Sequence, residues 1–260
     1  MITISLCSIA FRDEPIESLV PRIAQIGYDA VEIFGSQIDG KSDEELSALK
    51  DLCAEHGLRP LAVAPYLSLT RSREAYDESL ACAERFVHYC RVLGAPKFRT
   101  FTDVGPKGIG SDVATPQQWA QGIEGLKHIT ALDRGIAFVM ETHPQTLVDT
   151  VESIERVLAE VDAPNLKVLY QPGNTDFRQR GIIECWRRLR PHVEHMHIQN
   201  HRDDDAPPYV EEGTLDLPAF FRAVKADGYD GSMSVEYCWR DVPWEKVESA
   251  CAYLAKYLRG

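Results

Sequence analysis

Short β-rich runs alternate with longer amphipathic stretches from one end of the chain to the other. ITISLCSIA reads as a first buried strand, a helical pattern runs through SLVPRIAQIG, and YDAVEIFG reads as the second strand. Ser42 and Glu45 stand in the S-x-x-E spacing of a capping box, opening a helix that Gly57 is placed to stop. LRPLAVAPY is the third strand, and a long helix through SLACAERFVHYCRVLG leads to the fourth, KFRTFT. Thr115, Pro116 and Gln118 supply the next helix with an N-cap, a first-turn proline and a capping-box partner. IAFVMETH, LKVLYQ, VEHMHIQN and SMSVEYCW follow as strands separated by helical segments.

Eight strands alternating with helices over 260 residues predict a closed (β/α)8 barrel, a single α/β domain spanning residues 1–260. An open doubly wound sheet would carry a Gly-rich phosphate turn after its first strand, and none is present. The chain also echoes itself. Gly27-Tyr28-Asp29 leads into the strand holding Glu32, and Gly228-Tyr229-Asp230 leads into the strand holding Glu236.

A net charge of -12 argues against binding to nucleic acid or to an anionic membrane, since both favour a positive field. No apolar run approaches the roughly 20 residues of a membrane span, and the opening MITISLCSIAFRDEP lacks the basic segment of a signal peptide. The seven cysteines are odd in number and scattered, without a C-x-x-C pair, which fits reduced packing thiols. A cytoplasmic protein is expected.

Barrel enzymes place their chemistry at the C-terminal ends of the strands, and strand residues two apart share a face. Glu141 and His143 therefore stand together at one strand end, facing inward if Phe138 and Met140 pack against helices. His195, His197 and Gln199 share a face of another strand, Ser234, Glu236 and Cys238 of the last, and Lys97, Arg99 and Phe101 of the fourth. Gln171 closes LKVLYQ just before a Pro-Gly turn. Carboxylates and an imidazole converging on a barrel mouth suit a divalent cation, with Mg2+ or Mn2+ favoured by oxygen donors. Taken singly, each residue also fits a solvated rim carboxylate or a hydrogen-bonded packing histidine.

The opening SLCSIAFR, the RTF segment at 99–101, ETHPQTLVDT at 141–150, APNLK at 163–167 and LRPHVEHMHIQN at 189–200 carry a resemblance. Over essentially its whole length the chain resembles the xylose isomerase-like TIM-barrel superfamily of sugar isomerases, epimerases and lyases. Within it the chain is most similar to metal-dependent 3-dehydroshikimate dehydratases. The resemblance implies a divalent metal, Mn2+ or Mg2+ with Co2+ or Zn2+ as alternatives, held by Glu141, Gln171, His197 and Glu236. It also implies His143 as the proton-transfer base, with Tyr66, Arg99, Asn174, Gln199 and Arg202 against the substrate. Three positions depart from the dehydratase pattern: Gln171 stands for an aspartate, Asn174 for a histidine and Gln199 for a lysine.

The expected activity is a metal-dependent carbon–oxygen lyase acting on a small polyhydroxylated keto compound. It would abstract the proton beside the carbonyl and eliminate water or another oxygen leaving group. The alternative is an isomerase or epimerase acting on a ketose through an enediolate, with Glu141 and Glu236 as acid and base. An abasic-site nuclease of the same barrel type would need further His and Asp ligands and a basic face. A metal-free binding protein is the remaining class, and homo-oligomerisation is left open.

Overall fold

The computed structural model describes residues 1–103, 108–204 and 206–259. Strands β1 (Thr3–Cys7), β2 (Ala30–Phe34), β3 (Arg59–Ala64), β4 (Lys97–Thr100), β5 (Ala137–Glu141), β6 (Leu166–Tyr170), β7 (Val193–Ile198) and β8 (Ser232–Val235) follow one another in chain order. Each pairs in parallel with the next, and β8 pairs with β1 to close the barrel. Helices α1 (Ile16–Ile26), α2 (Asp43–Glu55), α3 (Arg73–Leu93), α4 (Pro116–Ala131) and α5 (Val151–Val161) fill the crossovers as far as β6. A pair of short helices, α6 (Thr175–Arg180) and α7 (Ile182–Leu189), joins β6 to β7, and α8 (Leu217–Ala226) and α9 (Trp244–Leu258) complete the ring.

Local chemistry sets the ends of these elements. Both bonds of the α2 capping box are made, from Ser42 N to Glu45 Oε2 at 2.8 Å and from Glu45 N to Ser42 Oγ at 3.3 Å. Gly57 then turns the chain at φ 68°, a conformation that L side chains rarely adopt. Thr115 and Gln118 make the same reciprocal cap on α4, behind Pro116. β1 is shorter than the apolar run ITISLCSIA suggests, because Ser8–Phe11 coil into a 3-10 turn. Ser8 holds that turn by accepting from Phe34 N at 2.9 Å and donating to Gln37 Oε1 at 2.5 Å.

Strand alternation divides the buried side chains into two populations. Ile4, Leu6, Val31, Ile33, Phe98, Phe138, Met140, Val168, Tyr170, Met196, Ile198, Met233 and Val235 point outward and merge with the apolar faces of the helices into one continuous core. The positions between them point into the barrel, and many are polar: Ser5, Glu32, Arg99, His195, His197, Ser232, Ser234 and Glu236, each at most 1% exposed. Buried polar groups persist only when they are paired, and these pair with one another. Ser5 Oγ lies 2.6 Å from Ser234 Oγ, and His195 Nε2 lies 3.1 Å from both Ser234 Oγ and Glu32 Oε2. His195 Nδ1 lies 2.7 Å from Ser232 Oγ and 3.1 Å from the Ser232 carbonyl, which fixes the ring deep in the lumen. The apolar core stabilises the ring of elements, and the polar stack inside positions what stands above it.

Candidate metal centre and active site

The site lies where β5, β7 and β8 end. Glu141, His197 and Glu236 present ligand atoms that all lie within 4.8 Å of one another, and all three side chains are buried. Three features of His197 fit a ligand better than a packing residue. Its Nε2 lies 2.9 Å from Glu32 Oε2 and 3.1 Å from Glu32 Oε1, so the carboxylate orients the ring and keeps a proton on Nε2. Its Nδ1 lies 3.1 Å from Glu236 Oε2 and 3.7 Å from Glu141 Oε1. Yet Nδ1 makes no properly angled hydrogen bond among the described residues. A carboxylate behind the imidazole and a nitrogen left without a hydrogen-bond partner in front of it is the arrangement by which proteins orient a metal-binding histidine. The donor set of carboxylates and imidazole fits a divalent ion.

Glu32 is the residue that sequence analysis left without a role. Its one signal was the Gly-Tyr-Asp echo that pairs it with Glu236. It is fully buried on β2, directly across the lumen from β7. Burial alone would raise its carboxyl, but His197 and His195 overcome that and hold it well below the usual range. Burial would likewise lower His197, and the carboxylates of Glu236, Glu32 and Glu141 push it well above an ordinary imidazole instead.

Arg99 sits in the middle of this cluster. Its Nη1 donates to Glu141 Oε2 at 3.0 Å and to Glu236 Oε1 at 3.2 Å, and its Nε lies 3.7 Å from Glu32 Oε1. The guanidinium carbon lies 5.0 Å from the Phe101 ring centre and 5.6 Å from that of Tyr66. Phe34, Tyr66 and Phe101 form a continuous aromatic wall, with ring centres 5.5 and 5.6 Å apart. Burial opposes ionisation of Glu141, but Arg99 and His197 prevail and hold the carboxyl down at about 2. Burial and the nearby carboxylates push the Tyr66 phenol up to about 12, Arg99 acting in the opposite sense, so the hydroxyl keeps its proton and can donate.

His143 follows Glu141 by two residues and lies beside it, close enough for the imidazole to bear on that carboxyl. Its Nδ1 is 2.8 Å from the Pro144 carbonyl, which can only accept, so Nδ1 carries the proton and Nε2 is left as the basic nitrogen. The His143 ring meets Phe101 edge-on at 6.3 Å. Gln171, just past β6, is buried and turns its amide NH2 to Glu236 Oε2 at 3.4 Å. Ligation through its carbonyl oxygen requires that amide to rotate.

The other expected substrate contacts are placed differently. Gln199 is half-buried just past β7, two residues beyond His197. Asn174 is buried, with Nδ2 donating to the Thr142 carbonyl at 3.2 Å and Oδ1 capping α6 at Asp176 N, 2.9 Å away. Both ends of its amide are thus engaged with backbone. Arg202 lies in the half-exposed loop after β7 and forms a two-pronged pair with Asp204, both distances 2.7 Å. All seven cysteines are free thiols, and no helix among the described residues is long and apolar enough to cross a membrane.

Comparison with known proteins agrees with this architecture. The family model described as a xylose isomerase-like TIM barrel matches residues 20–257. A 3-dehydroshikimate dehydratase of Bacillus anthracis is 28% identical over 212 residues, which cover 75% of this chain and 71% of the relative. The crystal structure of a D-psicose 3-epimerase in the presence of D-fructose superposes with a TM-score of 0.84 at 16% identity, covering 100% of both chains. A crystal structure of the IOLI protein with a binding zinc atom gives a TM-score of 0.79 at 17% identity, covering 99% of this chain and 98% of the other.

Proposed function

We propose that this chain, which belongs to the xylose isomerase-like TIM-barrel family, is a cytoplasmic metal-dependent carbon–oxygen lyase. Its substrate class is a small polyhydroxylated keto compound, from which it removes the proton beside the carbonyl and expels water or another oxygen leaving group. The observation that carries this reading is the unpartnered His197 Nδ1, aimed at Glu141 and Glu236 with Glu32 behind the ring.

Glu141, His197 and Glu236 would hold the ion, with the Gln171 carbonyl as fourth donor, and the oxygen-rich set favours Mn2+ or Mg2+. Such an ion supplies Lewis acidity, polarising a carbonyl oxygen and acidifying the neighbouring C–H. His143 then takes that proton at Nε2, its other nitrogen being tied to Pro144 O, and returns it to the departing hydroxyl. Tyr66, still protonated, donates to a substrate oxygen, while Arg99 and Gln199 receive its remaining polar groups. The aromatic wall of Phe34, Tyr66 and Phe101 shields one flank of the site from water.

The second reading is an isomerase or epimerase in which Glu141 and Glu236 pass the proton between them. It is favoured by the way both carboxylates face one small space. Against it stands the Glu141 carboxyl, which at about 2 is a weak base, whereas an imidazole suits proton transfer near neutrality. The test is to give metal-stripped protein 3-dehydroshikimate, and D-fructose in a parallel arm, with and without Mn2+, and to weigh the products. A product lighter than its substrate by one water, formed only with Mn2+, is expected. A product of unchanged mass would make the protein an isomerase or epimerase.

A further inference from the structure

The two carboxylates expected to face a divalent ion already share a cation. Arg99 is 1% exposed and always charged, and its Nη1 bridges Glu141 and Glu236 at 3.0 and 3.2 Å. The stem rises from β4 inside the barrel, and the guanidinium is flanked by Phe101 and Tyr66. Its Nε and Nη2 are buried and make no hydrogen bond among the described residues. A buried guanidinium with two unpaired nitrogens, carrying three N–H groups, is short of acceptors. Its hold on the carboxylates therefore rests on the Nη1 bridge and on the more distant Glu32.

We infer that Arg99 is the resident counter-cation of this centre: it holds Glu141 and Glu236 together before an ion arrives, and the ion must displace its bridge to bind. This rests on the proposal that the site takes a divalent metal. Without Arg99, two buried carboxylates would face each other across a few ångströms with nothing between them, a costly arrangement. With it, the site is preformed, but every ion that enters competes with the bridge and afterwards feels a positive charge nearby. Gln171 sharpens the competition, because a neutral donor adds no charge to outweigh the guanidinium. Release of Nη1 also frees its two N–H groups beside the three already unpaired, so the freed fork points its donors at whatever oxygen-rich ligand follows the metal.

The experiment is a Mn2+ titration of metal-free wild type, Arg99→Gln, Arg99→Met and Arg99→Lys, followed by calorimetry and by the thermal shift that the ion produces. A neighbouring charge at this range alters the affinity of a cation by one to three powers of ten, so the two neutral variants are expected to bind Mn2+ roughly 10- to 100-fold more tightly. Arg99→Lys keeps the charge and is expected to stay near wild type. Should the neutral variants be unstable when metal-free, Mn2+ must restore them and raise Tm by more than in wild type. Equal or weaker binding in the neutral variants, or failure of Mn2+ to restore them, overturns the inference. Absence of binding in wild type and all variants overturns the metal reading itself, a separable result.

Discussion

Replacing His143 by glutamine is expected to lower turnover by roughly 10²- to 10⁴-fold, the usual contribution of a positioned general base, while leaving metal binding unchanged. The argument is geometric. His143 has one nitrogen committed to the Pro144 carbonyl, stands next to Glu141, and has no place in the cluster of ligand atoms. Glutamine can imitate the bond to Pro144 O and preserve the loop, but it cannot carry a proton away. Steady-state kinetics alongside a Mn2+ titration of the variant separate the two effects. Turnover within a few-fold of wild type would transfer the proton to Glu141 and Glu236 and support the epimerase reading.

The second large effect is expected at Glu32. Its carboxylate contacts Nε2 of both His195 and His197 at 2.9–3.1 Å, entirely away from water. Glu32→Ala leaves two imidazoles and the Arg99 Nε facing an empty space, and breaking a buried ion pair in this way costs about 3–5 kcal/mol. In a chain of this size that corresponds to a fall in Tm of roughly 10 °C. The same change frees the His197 ring to turn, and loss of an orienting carboxylate typically weakens metal binding by about 10- to 100-fold. Thermal unfolding and metal titration of the one variant read both outcomes. If stability falls and affinity holds, Glu32 supports the fold without orienting the ligand.

The two residues differ in how visible they are in sequence. His143 and Glu141 sit at the end of an apolar run with period-two spacing, so alternation alone places them together at the barrel mouth. His197 and Glu236 were legible for the same reason, and the helix caps at Ser42 and Thr115 because their partners lie three residues away. Glu32 lies in mid-strand, and its meaning depends on β2 facing β7 across the lumen, a separation of 163 residues to His195 and 165 to His197. Arg99 was visible as a polar strand residue, but its partners Glu141 and Glu236 are 42 and 137 residues away. Local pattern shows which face a side chain takes, whereas only barrel closure shows what stands opposite. Asn174 teaches the converse: a polar residue near a strand end can be consumed by its own loop, here as the cap of α6.

The centre itself is open to direct measurement. Metal-free protein titrated with Mn2+ and followed by electron paramagnetic resonance is predicted to take up a single ion per chain. That uptake should be lost in His197→Ala and sharply weakened in Glu141→Gln and Glu236→Gln, each of which remains folded by circular dichroism. Binding of unchanged affinity in all three variants, or no binding by the wild type, would contradict the account.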